Sequence, residues 1–154
     1  MIFIGVDPGA RGGYAWIMDG IPKAFPWDDT FFVHDMRCLV NIKDEGIMAA
    51  VEKVGAMPGQ GVTSMFSFGK SAGYIEGVLS GLGIPYQLVP PVKWKKEFSL
   101  IGKDKRTSIE CCKRLFPGLD LRRTERCRTD SDGKAEAALI AEYARRHFGE
   151  GVVG

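Results

Sequence analysis

Four acidic side chains stand where strand and helix ends can bring them together: Asp7, Glu52, Asp132 and Glu136. Asp7 closes the run IFIGVD ahead of a Pro-Gly turn, and Glu52 closes the run IMAAVE. As parallel neighbouring strands, these runs would present both carboxylates at the C-terminal edge of a sheet, where open α/β sheets place ligands. Asp132 and Glu136 are four residues apart, so on a helix they share one face near its N-terminus. Carboxylates gathered in one crevice repel each other strongly unless cations neutralise them. Hard oxygen donors at a partly open site suit Mg²⁺ or Mn²⁺. Two such ions can activate water and stabilise the attacking and leaving oxygens of a phosphoryl displacement. Taken singly, each residue has a plainer role: Asp7 as a turn former, Glu52 as a strand-end charge, Asp132 as a helix cap, Glu136 as a charge complementing the helix dipole. The chemistry rests on their conjunction. Asp130 competes with Asp132 for the place beside the helix start, and Glu76 and Glu142 read as exposed helical positions.

Positioning these groups requires a particular order of elements. Residues 2–7 read as a buried strand ending at Asp-Pro-Gly. A second strand follows over 13–18, and Asp19-Gly20 signals a hairpin into a short third strand from Ile21 to Phe25. A helix is expected from about Asp35 to Glu45, then a buried strand from Ile47 to Glu52 whose length suits parallel pairing. The loop GAMPGQG, Gly55 to Gly61, precedes a helix near Lys70 to Ser80 and a strand from Ile84 to Val89 closed by Pro90-Pro91. Two basic helical segments come next, Val92 to Phe98 and Lys103 to Phe116, the second stopped by Pro117-Gly118. After a loop with four arginines, a last helix runs from about Asp132 to His147, with Ala135, Leu139 and Tyr143 at helical spacing. A meander followed by βα units predicts a mixed five-stranded sheet with helices on both faces.

The 154 residues suit one α/β domain over 1–154. With 45% hydrophobic and 26% charged residues, the composition is that of a soluble globular protein. No apolar run reaches membrane-spanning length, so no membrane partner is expected. Met1 leads directly into a strand-like run, so neither a signal nor a transit peptide is expected, and the location expected is the bacterial cytoplasm. Cys38, Cys111, Cys112 and Cys127 form no CxxC pair and read as reduced thiols rather than a zinc site. The net charge of +2 hides an asymmetry: Lys93 to Arg128 holds twelve Lys or Arg against five Asp or Glu, +7, leaving −5 elsewhere. A basic face on an acidic body suggests a polyanionic partner, or else a solvated, salt-bridged helical surface.

These residues also carry a family resemblance. IGVDPGARGGYA resembles the first hairpin of RuvC-type Holliday junction resolvases, AVEK (Ala50 to Lys53) their second acidic strand, and DGKAEAALIAEYARR (Asp132 to Arg146) their terminal acidic helix. MPGQG, FSFGKSAGYIEG, LVPPVKWKKEF and KRLFP are more similar still to the phage and plant-plastid branch, and the matches run in order through nearly the whole chain. The resemblance implies an RNase H-like fold and a crossover junction endodeoxyribonuclease acting as a homodimer on four-way DNA junctions, with no nucleotide cofactor. It implies Asp7, Glu52 and Glu136 as catalytic metal ligands, with Mg²⁺, Mn²⁺ as substitute, at two ions per site. Asp132 joins them, although the relatives tend to carry His there. Lys95 and Lys105 match basic positions that act on junction phosphates. Gln60, between glycines, either approaches DNA or shapes its turn. Phe66 and Phe68, alternating as in a strand or loop, either fill a core or present an aromatic wedge to unstacked bases, with Lys70 nearby as a further DNA contact. A tail-free chain of this size suggests a phage or prophage source.

Three other readings compete. IGVDPGARGGYA also resembles the phosphate-binding hairpin of sugar kinases and Hsp70-type proteins, which need two such lobes where this chain has length for one. Another RNase H-like nuclease, acting on RNA or an RNA–DNA hybrid, would use the same carboxylates. A non-catalytic junction-binding protein would gain nothing from carboxylates that face phosphates.

Overall fold

A computed structural model describes residues 1–42 and 45–149. Among these residues the elements run β1 (Ile2–Asp7), β2 (Gly13–Met18), β3 (Ile21–Pro26), α1 (Asp29–Val40), β4 (Ile47–Glu52), α2 (Val62–Gly81), β5 (Tyr86–Val89), α3 (Pro91–Glu97), α4 (Lys105–Leu115) and α5 (Asp132–Phe148). The strands form one five-stranded sheet in the order β3-β2-β1-β4-β5. β1 pairs antiparallel with β2 and parallel with β4, and β5 continues the parallel half. The β2–β3 hairpin closes through Asp19 (φ 52°) and Gly20 (φ 76°), the two left-handed residues of a tight turn that matches strand twist.

Alternation along β1 divides the molecule into two cores. Ile2, Ile4 and Val6 face α1 and the second half of α2, packing with Phe32, Met36, Ile75 and Leu79. Phe3 faces the other layer, where α5 lies across the sheet with Trp94 of α3, Phe98 just after it, and Cys111 and Cys112 of α4 outside it. The side chain of Asp7 belongs by the same period to the α5 face. Helix α5 is alanine-rich and buried on nearly all sides, which lets it approach the sheet closely. At Gly5 a Cβ would stand 2.2 Å from both the Ala137 carbonyl and the Ala141 amide, so only glycine fits beneath this crossing. Gly133, at the start of α5, is equally tight against the backbone of Arg11, at 2.2 Å.

Three expectations are corrected. Helix α1 begins at Asp29, capped by Asp28, whose side chain accepts from the Phe31 amide, and it ends at Val40 rather than Glu45. The Asp-Asp-Thr start signal outweighs the later periodic residues; positions 43 and 44 of the expected helix lie outside the described residues. Helix α2 begins at Val62, eight residues before Lys70, so Phe66 and Phe68 are helical. Its first half buries nothing, with Val62 83% and Phe66 73% exposed, and so leaves no core periodicity to read. Glu142 is buried, not exposed: Arg145 and Arg146 both donate to it, at 2.7 to 2.9 Å. Burial works to raise its carboxyl, but the two guanidinium partners hold it below the ordinary range. Glu76 is half-buried and accepts from the Tyr86 hydroxyl at 3.0 Å.

Candidate active site

The parallel register that pairs Val6 with Val51 makes Asp7 and Glu52 successive strand-end neighbours, about 5 Å apart between strands. Both follow residues buried in the α1/α2 core, so both side chains turn to the α5 face. There α5 supplies Glu136, whose carboxyl lies within hydrogen-bonding reach of Asp7. One turn earlier is Asp132, the first residue of a helix capped by the Ser131 hydroxyl, which accepts from the Lys134 amide at 3.3 Å. Lys134 is held below the ordinary ammonium range by burial and donates to the Arg122 carbonyl at 2.8 Å, fixing the loop that leads into α5.

The cluster is electrostatically uncomfortable. Burial, then the charges of Glu136, Glu52 and Asp132, push the Asp7 carboxyl well above the carboxylate range. Glu136 is raised by burial and by Glu52, against the opposing charge of Lys95. Glu52 is raised by burial too, while a hydrogen bond from Trp94 and the charge of Lys95 work the other way. Two lysines therefore border the acids. Lys105 Nζ sits 2.8 Å from Asp132 Oδ2, and that bond, with the nearby Glu136 and Asp7, holds its ammonium above its ordinary range. Lys95 Nζ lies 5.5 Å from the centre of the Trp94 ring. Asp130 is engaged elsewhere, paired with Lys113.

The donor set suits a hard divalent cation: buried carboxylates from β1, β4 and α5 repel one another, and a cation would remove that cost. Among the described residues, however, no three His, Cys, Asp or Glu side chains stand as arranged to hold a metal ion. Some of the oxygens have other partners: Glu52 is bonded to Trp94 and Asp132 to Lys105, while Asp7 and Glu136 act on each other through their charges.

Six predicted residues thus gather at one sheet edge: Asp7, Glu52, Asp132, Glu136, Lys95 and Lys105. Phe68 joins them from α2, its ring 3.4 Å from where a Cβ on Gly9 would stand, two residues past Asp7. Phe66 and Lys70 are exposed on α2. The Gln60 side chain accepts from the Met57 amide at 3.3 Å, beside Gly59 at φ 80°. Two neighbours of the acids were not foreseen. The Trp94 indole donates to Glu52 Oε2 at 2.7 Å, and the Ser108 hydroxyl faces Glu136 Oε1 at 3.5 Å. A tryptophan amid the lysines of VKWKK is the one sequence signal for the first; nothing in the sequence marks Ser108.

No protein-family model matches the chain. Over 97 residues, 61% of its length, it is 33% identical to the chloroplastic Holliday junction resolvase MOC1 of Chlamydomonas reinhardtii, and it spans 10% of that protein. In three dimensions it is similar to Thermus thermophilus RuvC in complex with a Holliday junction substrate (TM-score 0.57, 17% identity, 96% of this chain and 97% of the other). It is likewise similar to a second structure of Thermus thermophilus RuvC (TM-score 0.53, 17% identity, 97% of each chain). The fold is therefore the RNase H-like fold of RuvC, as the motif order implies, and the curated match falls on the plant-plastid branch.

Proposed function

We propose that this chain is a Holliday junction resolvase: a divalent-metal-dependent endonuclease that nicks opposed strands of a four-way DNA junction as a homodimer. The observation that carries the reading is the convergence of Asp7, Glu52 and Glu136, from two adjacent parallel strands and the helix crossing them, into one partly buried acidic cluster bordered by lysines. A protein that only binds DNA has no use for buried carboxylates whose repulsion destabilises it and whose charge opposes phosphate. The curated and structural relatives described above support the choice of a DNA junction as substrate.

In this reading Asp7, Glu52 and Glu136, with Asp132 beside them, hold Mg²⁺, which would activate water and stabilise charge on the phosphoryl oxygens. The chain's own contribution is placement. The β1–β4 register sets Asp7 against Glu52, and the glycines under α5 bring Glu136 down onto them. Lys95 and Lys105 border the cluster and would draw the phosphate backbone to it. Releasing Lys105 from Asp132 exchanges one ion pair for a phosphate contact at little cost, because the lysine is largely exposed. The exposed first half of α2, with Val62, Met65 and Phe66, is the apolar surface nearest in sequence to Phe68. It is assigned to a dimer partner or to unstacked bases, with Lys70 on the same segment.

The test is incubation of the purified protein with a synthetic four-way junction, a linear duplex and an RNA–DNA hybrid, each with Mg²⁺ and with EDTA. Paired nicks in the junction alone, only with Mg²⁺, are expected. Preference for the hybrid would reassign the substrate, and junction binding without cleavage would remove the enzymatic reading.

A further inference from the structure

Trp94 has no exposed surface, yet its indole N–H points at a carboxylate rather than at the core around it. Its Nε1 donates to Glu52 Oε2 at 2.7 Å, and this is the one side-chain hydrogen bond to Glu52 among the described residues. We propose that Trp94 is a positioning residue of the active site, pinning one oxygen of Glu52 so that Oε1 is held ready, beside Asp7 and Glu136, for a divalent cation. The inference rests on reading those three carboxylates as cation ligands.

The chemistry of the donor explains why an indole suits this place. A glutamate at a strand end has three side-chain torsions, and ordering them at the moment of binding weakens affinity. A partner that orders it beforehand removes that penalty. Lysine or arginine would do so but would also neutralise the carboxylate, as Lys105 does for Asp132. The indole N–H is a donor that carries no charge and accepts nothing. It fixes the oxygen and leaves the negative charge intact for the cation. Burial fixes the indole itself, since Trp94 is packed in the layer of α5 with Phe98, Leu100 and Cys112. The same ring carries Lys95 Nζ over its face at 5.5 Å, so one rigid side chain orients an acid with its edge and an amine with its face.

The discriminating experiment is a double-mutant cycle of Trp94→Phe with Glu52→Gln. Phenylalanine keeps one ring for the core and for Lys95 and deletes the donor along with the volume of the second ring. The measured quantity is Mn²⁺ affinity of each protein without DNA, by calorimetry, with the indole N–H resonances followed by ¹⁵N NMR during Mg²⁺ titration. Trp94→Phe is expected to weaken Mn²⁺ binding about 10-fold, the lower end for groups that orient a ligand, and to weaken it no further once Glu52 is Gln. Cleavage by Trp94→Phe should return to within about threefold of wild type at saturating metal, so the defect appears in metal requirement rather than in maximal rate. The indole resonance missing from Trp94→Phe should move on Glu52→Gln substitution and on adding Mg²⁺ to the wild type. Unchanged Mn²⁺ affinity in Trp94→Phe, or an equal loss in both Glu52 backgrounds, makes Trp94 a core residue only and overturns the proposal. Should Trp94→Phe fail to fold, a Trp94 resonance indifferent to Glu52→Gln overturns it as well. A wild-type protein that binds no Mn²⁺ and cuts nothing overturns the nuclease reading instead, and this inference with it.

Discussion

Replacing Glu136 by Gln separates binding, stability and chemistry in one variant. The side chain keeps its length and its capacity to accept from Ser108, but one negative charge leaves a cluster where burial and Glu52 already hold its carboxyl above the ordinary range. Two like charges about 4 Å apart repel by about 4 kcal/mol at an effective dielectric of about 20. Lys95 offsets part of this, and protonation of the Asp7–Glu136 pair relieves more. A net stabilisation of the metal-free protein by about 1–2 kcal/mol is therefore expected, in line with other relieved active-site strain. For a chain of this size that is a rise in Tm of about 2–8 °C. Added Mg²⁺ should stabilise the wild type further and the variant much less, because a ligand raises stability only in proportion to its occupancy. Single-turnover cleavage should fall at least about 100-fold, the scale of losing one electrostatic stabiliser. Junction affinity in EDTA should hold or improve by up to about fivefold, since a charge facing phosphate across solvent contributes about 1 kcal/mol of repulsion. Thermal unfolding, filter binding and single-turnover kinetics on one preparation check all three. A Glu136→Gln protein that cuts at the wild-type rate refutes the reasoning, because Glu136 would then be a helix charge and nothing more.

Further perturbations address the same geometry. Asp7 and Glu136 are raised in the folded state, so their contribution is fully present below the unfolded carboxylate pKa and is lost as pH rises from there through the folded values, whereas the lowered Glu97 and Glu142 lose theirs only as pH falls through the acid range. As pH rises from the ordinary carboxylate range, about pH 4, metal-free wild type should therefore lose stability relative to Asp7→Asn in calorimetric scans; a difference that does not change with pH would show the pair does not titrate with folding. Gly5→Ala places a methyl 2.2 Å from the α5 backbone. Moving the helix by about 1 Å to relieve it should cost about 3 kcal/mol, lowering Tm by about 6–12 °C and cleavage with it, and a wild-type Tm would contradict the close crossing. The double change Lys95→Ala, Lys105→Ala should reduce the salt dependence of junction binding by about two units of log–log slope while lowering cleavage more than affinity. Equal losses would assign the two lysines to general phosphate attraction.

Much of the frame was legible in the chain itself. The strand ends at Asp7 and Glu52, the Asp-Gly hairpin and the i,i+4 pair Asp132/Glu136 follow from local rules, because alternation, turn chemistry and helix phase are properties of adjacent residues. The motif order pointed to the RNase H-like fold for the same reason: each piece is local, and their succession restricts the topology. Where α2 begins was not legible, because the helix from Val62 to Lys70 buries no face and burial is what produces a readable period. Glu142 was misjudged because its two arginines sit on its own helix, and the burial that makes them matter comes from the layer packed around α5. Trp94 and Ser108 lay beyond reach for a stricter reason. Which polar atom a buried side chain meets depends on how α3 and α4 seat against α5 and the sheet, and a contact 42 residues apart in sequence, like that of Trp94 with Glu52, leaves no pattern in either segment alone. The carboxylates could thus be named from strand ends and helix phase, but the partners that hold them were decided by packing.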